Sequence, residues 1–92
     1  MTNIEDDEIE RKLIEFYKQI GNNVKKARNL RNITQLELAE KLNFNAVSSI
    51  SNAEVFYNNT HFSIGQLYKI SLILDIDIKF LIDKNEMQTF KK

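Results

Sequence analysis

The sequence predicts an all-α fold, and three observations carry that prediction. Proline is absent, glycine occurs only at Gly21 and Gly65, and apolar residues recur at steps of three and four along most of the chain. Without proline and glycine, the tight turns of an all-β fold lack their usual residues. Steps of three and four trace one face of a helix. Ninety-two residues leave room for one small domain, whose core needs no disulfide or metal support.

The first helix is set by Ile9, Leu13, Phe16, Ile20, Val24, Ala27 and Leu30, a stripe that predicts a helix over 5–31. Gly21, Asn22 and Asn23 interrupt it with three poor helix formers. One helix or two fits the stretch; one, bent at these residues if anywhere, is the preferred reading. Thr34, with Glu37 three residues on, is a capping box and opens a second helix over 35–42, with Leu38, Ala39 and Leu42 on one face. Asn43-Phe44-Asn45 breaks it, Phe44 serving as an apolar plug between polar neighbours.

A third short helix is expected over 46–54. Val47, Ile50 and Ala53 would face inward, and Ser48, Ser49, Ser51 and Asn52 outward. Residues 55–63 lack helical periodicity and read as a surface loop. Ser63 caps a fourth helix with the stripe Ile64, Leu67, Ile70, Ser71 and Leu74. Asp75-Ile76-Asp77 connects it to a last turn or two over 78–82. The chain thus divides into an acidic N-terminal helical extension (1–16), the domain proper (17–83) and a polar C-terminal tail (84–92).

Composition narrows the function. Cysteine is absent and histidine occurs once, at His61, so a zinc site would rest on carboxylates, against zinc's preference for nitrogen and sulfur. No nucleophile–base or carboxylate pair stands out, so neither an enzyme nor a cofactor is expected. The chain lacks a long apolar run and begins acidic where a secretory signal is basic, which reads as a cytoplasmic protein without a membrane partner. Formal charge sums to zero, yet residues 1–16 hold six acids against two bases, a net of −4, and the remainder carries +4. This asymmetry fits a polyanionic partner plus an acidic appendage; plain solvated surface is the competing reading.

Two short helices joined by about three residues make the pattern of a helix-turn-helix. Over residues 20–82, roughly two thirds of the chain, the sequence resembles the Cro/cI-type, or xenobiotic-response-element (XRE), family of phage repressors and bacterial regulators. The spacing from Arg28 to Thr34-Gln35 to Leu38-Ala39-Glu40-Lys41-Leu42 is the most specific part of the match. The resemblance implies a five-helix, lambda-repressor-like DNA-binding domain, here with an N-terminal helical extension. In that family the third helix enters the major groove while the second lies across it near the phosphates.

Carried onto this sequence, the resemblance implies a phosphate contact by Thr34 or Gln35, where unpaired N–H groups favour an anion; for Thr34 the plain alternative is helix capping alone. Base reading would fall to Asn45, Ala46, Val47, Ser48, Ser49, Ser51 and Asn52. Asn suits adenine, Ala and Val suit the thymine methyl group, and no arginine is present for guanine, so A·T-rich sites are expected. Tyr57, Asn58 and Asn59, with Thr60 and His61, would approach the DNA backbone from the following loop, although His61 reads first as a solvated loop residue. Arg28 and Glu54 align with a structural ion pair found in some phage repressors. The chain departs from the family at three places. Phe44 to Ile50 is six steps where five are usual, which leaves the recognition register open by one residue; Leu36 is apolar where a polar residue is usual; and Val55-Phe56-Tyr57 replaces a glycine-containing turn.

A short recognition helix covers a half-site, so the resemblance implies a homodimer on double-stranded DNA bearing an inverted repeat. Segment 76–82, with Ile76, Ile78, Phe80, Leu81 and Ile82 and with Met87 and Phe90 nearby, either dimerises or closes the monomer core. The stripe Ile4, Ile9, Leu13 and Phe16 either pairs with its twin or packs on the domain. The expected function is a sequence-specific DNA-binding regulator, a dimeric repressor or autoregulator of the kind encoded by phages, mobile elements or restriction-modification loci. The competing function is a protein-interaction module of the same fold, such as an antirepressor or an antitoxin-like partner binder.

Overall fold

The computed structural model describes residues 5–84, and among them the chain is all-helical. Its elements are α1 (Asp6–Leu30), α2 (Gln35–Lys41), α3 (Ser48–Val55), a 3₁₀ turn (Tyr57–Asn59), α4 (Ile64–Leu74) and α5 (Lys79–Ile82). The tail residues Met87 and Phe90, and Ile4 of the N-terminal stripe, lie outside the described residues.

Both capping boxes read from polar side chains close as hydrogen-bonded rings. The Glu37 N–H donates to Thr34 Oγ1 at 3.0 Å and the Thr34 N–H to the Glu37 carboxylate at 2.8 Å; Ser63 and Gln66 do the same at 3.1 and 2.8 Å. Helix ends follow an equally regular rule. Asn32, Asn43 and Asp75 take left-handed φ of 58°, 61° and 56° after α1, α2 and α4. The next residues, Ile33, Phe44 and Ile76, donate their N–H groups back to the carbonyls of Arg28, Ala39 and Ser71 at 2.9 to 3.0 Å. This is the Schellman arrangement, with Asn and Asp supplying the backbone freedom that glycine usually gives. Each of the three apolar residues then packs against the core.

That core gathers Ile20, Val24 and Ala27 of α1, Leu38 and Ala39 of α2, Ile50 and Ala53 of α3, Leu67, Ile70 and Leu74 of α4, and Leu81 of α5, with Leu42 and Phe62 from the connections. α1 runs unbroken through Gly21, where a bend was the expectation. The reason is tertiary. Gly21 meets the backbone of α3, and the buried Asn23 donates its side-chain amide to the Leu81 and Asp83 carbonyls, both at 3.0 Å, closing off the end of α5.

Other expectations shift. α3 begins two residues later than 46 and ends at Val55, and Val47, expected inward, precedes the helix and is 41% exposed. Ile64, expected on the inner stripe of α4, is 69% exposed because the first residue of the helix lies beyond the body it packs on. Segment 55–63 is more than a surface loop, since Phe62 is buried in the core and Tyr57–Asn59 forms a 3₁₀ turn. Leu30, at the other end of the α1 stripe, is exposed. In segment 76–82, Leu81 is fully buried, while Ile76, Ile78, Phe80 and Ile82 pack partly buried against the core.

Candidate nucleic-acid interface

α3 is seated on the rest of the chain by its buried side. Ile50 and Ala53 enter the core, and the Glu54 carboxylate is buried with them. Arg28 donates Nε to Glu54 Oε2 at 2.8 Å and Nη2 to Oε1 at 3.1 Å, a two-pronged pair between α1 and α3. Gln35, at the start of α2, donates its Nε2 to the same Oε1 at 3.0 Å, and Arg28 Nη1 donates to the Ile33 carbonyl at 3.0 Å. One carboxylate therefore ties α1, α2 and α3 together, with both charges desolvated and mutually satisfied. The link from Gln35 to Glu54 was not expected from sequence, where nothing marks two residues so far apart as partners.

The outward side of α3 is polar and uncharged. Ser48 is exposed, and Ser49, Ser51 and Asn52 are half-buried at its flanks. Asn45, Ala46 and Val47 lead into it, all exposed. The Ser49 and Ile50 N–H groups bond to the Ala46 and Val47 carbonyls at 3.1 and 2.9 Å, so the chain is wound before the regular helix starts. Six residues, 42–47, separate α2 from α3, where a join of about three was expected, and the extra residue beyond the family spacing is accommodated ahead of Ser48.

Thr34 and Gln35 sit at the start of α2. Thr34 is exposed, and its hydroxyl oxygen accepts from Glu37, leaving the hydroxyl proton to donate outward. Gln35 is half-buried through its bond to Glu54. After α3, Tyr57, Asn58 and Asn59 are all exposed, with Asn58 and Asn59 left-handed. His61, read as a solvated loop residue, stacks its exposed ring on Tyr17 of α1, the centroids 3.8 Å apart, and Phe56 stacks on the same Tyr17 at 5.8 Å. Apolar Leu36 is exposed on α2.

Electrostatically the face is sparse. Residues 42–68 contain no lysine or arginine, so strong phosphate neutralisation must come from other elements. Among the described residues no group of His, Cys, Asp and Glu could hold a metal ion, and no helix is long and apolar enough to cross a membrane.

A Helix-turn-helix family model matches residues 24–81, from the middle of α1 through α5. No curated protein and no solved structure matches the chain. The matched segment holds the clamp of Arg28, Gln35 and Glu54 and the whole of α3, and leaves the N-terminal half of α1 outside it.

Proposed function

The chain belongs to the helix-turn-helix family of DNA-binding regulators of the XRE type, and from that premise we propose that it is a sequence-specific, dimeric repressor or autoregulator that lays α3 in the major groove. The observation that carries this reading is the division of α3 into a clamped side and an open one: Glu54, Ile50 and Ala53 hold it to the scaffold, and Ser48, Ser49, Ser51 and Asn52 remain toward solvent. Pre-set rigidity matters because base edges are read by hydrogen bonds of strict geometry.

In this reading Asn45, Ala46, Val47, Ser48, Ser49, Ser51 and Asn52 contact bases of an A·T-rich half-site, Thr34 and Gln35 contact a phosphate from the start of α2, and Tyr57, Asn58 and Asn59 approach the backbone from the turn beyond α3. Two copies reading successive half-sites lie about 34 Å apart on one face of the duplex. Repression follows from occupancy of an operator, without a catalytic step.

Selecting bound fragments from random-sequence duplex DNA tests the reading. Enrichment of A·T-rich inverted repeats is the expected result; no enrichment over input sinks it. The uncharged α3 face and the acidic start of α1 favour one rival, a protein-binding module of this fold. That rival predicts no mobility shift at any salt concentration.

A further inference from the structure

The N-terminal half of α1 carries an apolar stripe that its own chain leaves open. Ile9, Leu13 and Phe16 are 43%, 39% and 43% exposed, and their steps of four and three run on through Ile20 into the core. Such steps form the seam between two packed helices. Beside Phe16 and Ile20 opens a groove of about 310 Å³, lined also by Phe62, Ile64 and Leu67.

Charge identifies what fits the seam. Residues 5–10 hold five acids and no base, whereas beyond Glu15 the helix carries Lys18, Lys25, Lys26 and Arg28 and no acid. Arg28 is committed to Glu54, and Arg11 bonds to Glu15 of its own helix at 3.1 Å. Lys18, Lys25 and Lys26 remain, all exposed, on the half opposite in sign to the first two turns. A second α1 laid antiparallel sets each acidic end along the other's basic half; laid parallel, it stacks acid on acid.

We propose that two copies of this chain associate through an antiparallel pairing of their α1 helices. Leu13 of each packs on Phe16 of the other, and in that register Ile9 lies across from Ile20 and enters the groove of the second copy. The contact is self-complementary and closes with twofold symmetry. It rests on the regulator reading only in supplying the second copy that reading requires, and it forms without DNA.

The test is the mass of the full chain in solution, measured by light scattering without DNA. The wild type is expected at two chains and Leu13→Glu at one, with Leu13→Ala intermediate and the helical circular dichroism of all three alike. Because the chain has no cysteine, orientation can be read directly: Leu13→Cys mixed with Phe16→Cys forms a disulfide between the two variants, and neither variant alone does. A monomeric wild type, a dimer that survives Leu13→Glu, or disulfides within each variant alone overturns the proposal; the first leaves the stripe to a different protein, and the second moves the interface elsewhere. A dimer of this kind that shifts no DNA overturns the regulator reading and leaves this one standing.

Discussion

Gly21 of α1 lies against the end of α3 so closely that a Cβ there would sit 2.5 Å from the carbonyl oxygen of Glu54 and equally near that of Ala53. Neither neighbour is the movable tip of a side chain; both are backbone of the helix proposed to read DNA. Gly21→Ala would gain about 1 kcal/mol of helix propensity but must push α3 outward. Overpacking of this kind costs roughly 1–3 kcal/mol, more where backbone must move. The expected outcome is net destabilisation in urea unfolding and weaker DNA binding, because the readout helix is displaced.

Glu54 is 3% exposed and Arg28 7%, so removing either strands the other as a buried charge. Glu54→Ala is expected to cost on the order of 3–5 kcal/mol, a large share of the stability of so small a domain. Gln35 loses its acceptor as well. The double variant Arg28→Met/Glu54→Leu should recover much of the loss, since apolar replacement of both partners leaves no charge behind. Equal melting temperatures for Glu54→Ala and the wild type would show that the pair does not hold α3.

These two contacts mark where the sequence was readable and where it was not. Caps are local: Thr34 with Glu37 and Ser63 with Gln66 sit three residues apart, and their polarity announces them. Helical stripes are local too, and they located most of the core. Gly21 and Asn23 read as helix breakers because propensity is also local, whereas their reasons, a close approach to α3 and a tie to the Leu81 carbonyl 58 residues away, are tertiary. An isolated glycine within a strong helical stripe is itself a sign of close packing. The start of α3 was misplaced by two residues because Val47 looks like a core residue, yet it sits in the turn that absorbs the extra residue of the loop. Glu54 was paired with Arg28 by family resemblance, but no pattern in the chain pointed to Gln35.

Salt dependence should be mild for a DNA binder. Each phosphate neutralised contributes about −0.9 to the slope of log affinity against log salt. With no lysine or arginine in residues 42–68, contacts in and around α3 rest on neutral donors. Titration across a salt series is expected to give a dimer slope shallower than about −5. A slope twice as steep would place the DNA on a more basic surface than α3.

Asn52 lies on the open flank of α3, away from the clamp. Asn52→Ala should leave thermal melting within about 0.5 kcal/mol of wild type, as surface changes do. Affinity for the selected operator should fall by roughly 1–3 kcal/mol, with preference relaxed at one base position per half-site. A uniform loss across all sequences would instead make Asn52 a backbone contact.

Phe56 ends α3 at φ 58°, a left-handed conformation that suits glycine and burdens a side chain bearing a Cβ. Its ring stacks on Tyr17, the same ring that carries His61, so the aromatic contact anchors the exit of α3 to α1 and offsets the backbone strain. The two contributions separate in a pair of variants. Phe56→Ala loses the stack and keeps the strain, whereas Phe56→Gly loses the stack and relieves the strain. Glycine should therefore be the more stable replacement by roughly 1 kcal/mol in equilibrium unfolding, the reverse of their order in a helix interior. Should alanine prove the more stable of the two, the turn must relax to negative φ once the ring is gone, and the stack with Tyr17 would then be what holds the left-handed exit in place.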